Sequence, residues 1–92
     1  MIRDTRPISW IKAARKSFDA FPEGARERIA QALMIAAEGG KADIAKPLAV
    51  LGTGIFEIAL AYRSDAYRAV YTVQIGQAIW VVHPRNGSFV SS

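Results

Sequence analysis

Ile55-Phe56-Glu57-Ile58-Ala59-Leu60-Ala61-Tyr62, then Tyr67-Arg68-Ala69-Val70-Tyr71-Thr72-Val73-Gln74, then Ala78-Ile79-Trp80-Val81-Val82-His83, decide the fold of this chain. In the first run Phe56, Ile58, Leu60 and Tyr62 alternate with Glu57, Ala59, Ala61 and Arg63, the period of a strand with one buried face. The second sets Tyr67, Ala69, Tyr71 and Val73 against Arg68, Val70, Thr72 and Gln74. Ser64-Asp65 reads as the turn between them, and Gly76-Gln77 as the turn before the third strand. Two short turns joining three strands make an antiparallel meander.

Upstream the period lengthens. Ala14, Phe18 and Phe21 recur at helical spacing within Lys12 to Phe21, and Pro22 interrupts, a residue favoured in the first turn of a new helix. A second helix runs to about Glu38, with Ala25, Ile29, Ala32, Leu33, Ala36 and Ala37 on one broad stripe. Gly39-Gly40 supplies its stop. Ile8 to Ile11 forms a short apolar strand ahead of the first helix. The expected order is β-α-α-β-β-β, an α+β layer with a helical hairpin on one face of a sheet. The tail, Asn86 to Ser92, carries turn residues and little periodicity, so either a frayed end or an added strand fits it.

Composition narrows the classes. Ninety-two residues make one small domain, and 51% hydrophobic content supplies a core while 22% charged residues argue against disorder. No apolar run is long enough to span a bilayer, and Met1 to Pro7 lacks the apolar stretch of a signal peptide, so a cytoplasmic protein is expected. The absence of cysteine excludes disulfides and thiolate metal sites. A net charge of +4 and a pI near 9.9 suit a phosphate-rich partner, and equally suit plain solubility.

Several residues invite chemical roles. Gly52 and Gly54, in Lys46-Pro47-Leu48-Ala49-Val50-Leu51-Gly52-Thr53-Gly54, lack the spacing of a phosphate loop and read as turn residues. Arg63 and Arg68, with Tyr67 and Tyr71, offer phosphate contacts and stacking surfaces for single-stranded RNA; alternatively the tyrosines are core and the arginines lie along the sheet edge. His83, the only histidine, either exchanges a proton near neutral pH or simply ends a strand. Lys12, Arg15, Lys16, Arg26 and Arg28 read as a solvated helical face, with ribosomal RNA contact as the alternative. One histidine and scattered carboxylates make a poor metal site, so neither metal nor cofactor is expected.

The runs Lys46-Pro47-Leu48, Leu51-Gly52-Thr53-Gly54-Ile55-Phe56-Glu57-Ile58, Tyr67-Arg68-Ala69-Val70-Tyr71 and Trp80-Val81-Val82-His83, in that order, resemble the RelE/HigB toxin superfamily, in particular its short phage-derived branch. The resemblance covers roughly residues 8 to 83 and implies a fold similar to microbial ribonucleases. It implies a metal-independent endoribonuclease that cuts mRNA in the ribosomal A site, the 2′-hydroxyl attacking the adjacent phosphate. A small helix-turn-helix antitoxin is the implied partner. On this resemblance Arg68, His83 and Arg85 are the catalytic candidates, and Lys46, Arg63 and Tyr71 the RNA-binding ones. Beyond His83 the family usually continues with consecutive lysines and a last helix, whereas this chain reads Pro84-Arg85-Asn86-Gly87-Ser88-Phe89, an atypical tail over 84–92. Arg85 is then the sole cation in the lysine positions. The altered tail implies a second reading, a catalytically weakened toxin that mainly binds its antitoxin, with sheet surface exposed for self-association; because fold does not fix function, a gyrase-directed or otherwise non-nuclease member on the same scaffold is a third.

Overall fold

A computed structural model describes residues 5–73 and 76–82. Strand β1 (Ile8–Trp10) leads into helices α1 (Lys12–Asp19) and α2 (Glu23–Ala37). Strand β2 (Ala45–Pro47) and a 3-10 turn (Ala49–Leu51) follow, then β3 (Ile55–Tyr62), β4 (Asp65–Thr72) and β5 (Ile79–Val82). The architecture is the expected α+β arrangement, with the helices on one face of a five-stranded sheet ordered β1-β5-β4-β3-β2.

The helices form where the apolar stripes require them. All six residues of the α2 stripe are buried, and α1 buries Ala14 while Phe18 and Phe21 pack beside it. Beneath them lie Ile58, Leu60, Ala69, Tyr71, Ile79 and Val81. The end of α2 is a Schellman cap: Gly39 takes φ 95°, its N–H donates to Ala36 O at 3.0 Å, and Gly40 N–H donates to Ile35 O at 2.9 Å. Trp10, Phe18, Phe21, Tyr67 and Tyr62 form a chain of rings with successive centroids 4.8, 6.1, 4.9 and 6.4 Å apart.

Three features depart from the sequence expectation. Ala45–Pro47, expected as loop, pairs antiparallel with β3 through Ala45↔Ile58, Lys46↔Glu57 and Pro47↔Phe56. The β3–β4 turn is Arg63-Ser64 rather than Ser64-Asp65, both residues taking positive φ (51° and 71°), with Tyr62↔Asp65 closing the hairpin. That φ pair is the I′ type whose twist matches hairpin strands, and it is normally given to Asn and Gly. Finally, Val70 and Thr72, on the central strand β4, are buried although they face away from α1 and α2. Gly52 and Gly54 have φ of 120° and 78°, as the turn reading requires.

β1 pairs in parallel with β5, Ile8↔Ile79 through Trp10↔Val81. Arg6, just ahead of it, fastens the β4–β5 connection: its guanidinium donates to the carbonyls of Val73 (3.0 Å), Gly76 (3.3 Å) and Gln77 (3.2 Å). Its own N–H donates to Ala37 O at 2.9 Å. Arg6→Ala frees three acceptors in a partly exposed setting and is expected to cost about 1–2 kcal/mol. Faster amide exchange across β1 and β5, with α2 unchanged, is the measurement that checks it.

Candidate nucleic-acid interface

Pairing register fixes which side chains share the face away from the helices, since directly opposed residues point the same way. Lys46, Glu57, Val70 and Val82 form one row across four strands, from Lys46↔Glu57, Glu57↔Val70 and Val70↔Val82. Arg68, opposite Ala59, lies diagonal to Glu57 on the same face. Arg68 Nε stands 3.7 Å from Glu57 Oε2, with side-chain exposures of 39% and 20%. Lys46 is exposed. Two cations therefore flank one carboxylate. Strand geometry puts the Cα positions of Lys46 and Arg68 roughly 12 Å apart, a gap that two long side chains close onto one phosphodiester.

The remaining candidates lie elsewhere. Arg63 sits at the hairpin tip, its guanidinium 5.3 Å from the Tyr62 ring centre, exposed and away from the row. Tyr71 is on the helix-covered face, 1% exposed and stacked on Phe56 with centroids 5.3 Å apart and planes 17° apart. It offers no ring face to a base, so its place is in the core. His83 and Arg85 lie outside the described residues. Arg68 also borders an open notch walled by Trp10, Phe18, Phe21 and Ala69.

Burial raises the Tyr71 phenol above the ordinary tyrosine value of about 10. The folded state thus binds that proton more tightly than the unfolded chain. The resulting stability is fully present below about pH 10 and is lost as pH rises through the raised folded value. Melting temperatures measured from pH 8 to 11 should fall more steeply at the alkaline end for the wild type than for Tyr71→Phe.

Of the helical cations, Lys12, Arg15, Lys16 and Arg28 are exposed as expected. Arg15 Nε donates to Asp19 Oδ1 at 3.0 Å, and its guanidinium carbon lies 5.4 Å from the Trp10 ring centre. Arg26 differs: it is half-buried, with an Nε that has no hydrogen-bond partner. Sequence reasoning missed Glu57 as a member of the site and Arg6 as a clamp. Glu57 was visible only as the polar side of β3; its neighbours follow from register. Among the described residues no three His, Cys, Asp or Glu come together as metal ligands, and no helix is long and apolar enough to cross a membrane.

The fold and this face define a small α+β protein with a helical layer on one side of its sheet and a charged cluster on the other. The chain belongs to the phage-derived protein Gp49-like family, a toxin-like family whose sequence profile matches residues 16–85. No curated protein and no solved structure gives a significant match.

Proposed function

We propose that this protein is the toxin of a type II toxin–antitoxin system, a ribosome-dependent, metal-independent mRNA endoribonuclease of the RelE/HigB kind. The observation that carries the reading is Lys46 and Arg68 flanking Glu57 on the face away from α1 and α2, in a chain of net charge +4 from a toxin-like family. A guanidinium there grips a phosphate with parallel N–H donors and stabilises charge as the phosphoryl centre is attacked; the Lys46 ammonium anchors the same backbone. His83 and Arg85 supply proton transfer and a further phosphate contact in this scheme, and Arg63 meets RNA at the hairpin tip. The partners are mRNA on the ribosome, in the cytoplasm, and a helix-turn-helix antitoxin.

The test is induced expression in a bacterium lacking the antitoxin, with primer extension on a reporter and on a copy whose ribosome-binding site is destroyed. Cleavage of the translated message alone, with growth arrest, is the expected result. Intact messages and normal growth from folded protein would sink the nuclease. The Arg68–Glu57 contact favours one alternative, a weakened toxin that chiefly binds its antitoxin, because a carboxylate beside the guanidinium competes with a phosphate for it. Tight antitoxin binding without cleavage would establish it.

A further inference from the structure

We propose that Glu57 is the general base of the reaction, accepting the proton of the attacking 2′-hydroxyl; this rests on the endoribonuclease reading above. Among the described strand residues of the face away from α1 and α2, which include Ser9, Ile55, Ala59, Arg68, Thr72 and Trp80, Glu57 is the one carboxylate. Its charged neighbours on the packed strands are Lys46 from β2 and Arg68 from β4, and Val70 stands directly opposite on β4. The 3.7 Å separation between Arg68 Nε and Glu57 Oε2 lies outside close hydrogen-bond range, so the pair leaves lone pairs free on the carboxylate.

The distances fit the chemistry. A phosphate held by Arg68 sits about 2.8 Å from a guanidinium nitrogen, and an attacking oxygen in line lies about 3–3.5 Å from phosphorus. With Glu57 beside Arg68, a ribose on the Glu57 side of that phosphate would turn its 2′-hydroxyl toward the carboxylate, and proton transfer needs about 2.6–3.2 Å between them. The 2′-oxygen to phosphorus bond forms and the bond from phosphorus to the 5′-oxygen breaks. The 2′ proton passes to the Glu57 carboxylate, and the leaving 5′-oxygen takes a proton from water. The products are a 2′,3′-cyclic phosphate and a 5′-hydroxyl. The hydroxide left behind takes the proton back from Glu57.

The experiment compares wild type, Glu57→Gln and Glu57→Asp on programmed ribosomes. Single-turnover cleavage is measured on the mRNA site mapped for the wild type. Binding is measured on the same ribosomes carrying that mRNA with a 2′-O-methyl group at the scissile nucleotide. Glu57→Gln is expected to cleave about 10²–10⁴-fold more slowly while binding within about threefold of wild type, with Glu57→Asp recovering part of the rate. If Glu57 only braces Arg68, binding and cleavage fall together and the base role is overturned. Wild-type cleavage by Glu57→Gln overturns it as well. A wild type that cleaves nothing removes the endoribonuclease reading itself, an outcome distinct from either of these. Melting curves check that both variants fold.

Discussion

Tyr71→Ala is expected to destabilise the protein by about 3–5 kcal/mol, the usual cost of emptying a buried aromatic site. Tyr71 is among the largest fully buried side chains, stacked on Phe56 and packed beneath the helical layer. For a domain this small each kcal/mol moves Tm by roughly 4–8 °C, so a drop on the order of 15–30 °C should appear in thermal melting. Total stabilities of such domains are only about 5–15 kcal/mol, so the loss removes a large share of the margin. Tyr71→Phe keeps the stacked ring and should cost under about 1.5 kcal/mol. The pair of variants thus separates a core ring from a base-stacking one. Were Tyr71→Ala to melt near wild type yet lose RNA binding, its placement in the core would be wrong.

Arg68→Ala is expected to leave folding almost untouched and to reduce mRNA cleavage by about 10²–10³-fold, the loss typical of removing one preorganised donor at a transition-state charge. Its ion pair with Glu57 is partly exposed, a class of interaction worth about 0–1 kcal/mol, so melting should shift by a few degrees at most. Arg68→Lys keeps the charge but loses the planar fork and should recover only a fraction of the rate. Lys46→Ala, which removes a point charge at the flank, should weaken binding more than it slows the bound reaction. Single-turnover rates on programmed ribosomes, taken with melting curves, check all three. Full cleavage by Arg68→Ala would remove this face from the reaction.

How far the chain could be read before folding depends on whether the signal is local. The α2 stripe from Ala25 to Ala37 and the alternation of β3 are repeated many times within one segment, and both were legible. The Gly39 cap was legible for the same reason, because a glycine after the last helical turn has one inexpensive conformation. The Arg63-Ser64 turn was not, since neither residue advertises positive φ. That one-residue difference has consequences for the site. A turn at Ser64-Asp65 pairs Glu57 with Thr72, whereas the observed turn pairs it with Val70 and brings Arg68 within reach. The candidates Lys46 and Arg68 were visible as cations in recognisable runs, yet their company with Glu57 exists only in the register of three strands. Tyr71 and Arg68 lie three residues apart on one strand and so face opposite ways, which splits a set that the sequence alone allowed to stand together. The partner of β1 was illegible altogether, because a three-residue strand carries no address.

That last pairing puts a clock into the biosynthesis of the protein. Ile8 finds its neighbour only when Ile79 has been made, several seconds later at about 5–20 residues per second. Until then Ile79 and Val81 are absent from the space under the helices, and the β3–β4 hairpin alone is marginal in water. The five-stranded sheet is thereby held incomplete until β5 has been made, so each copy closes its fold late in its own synthesis.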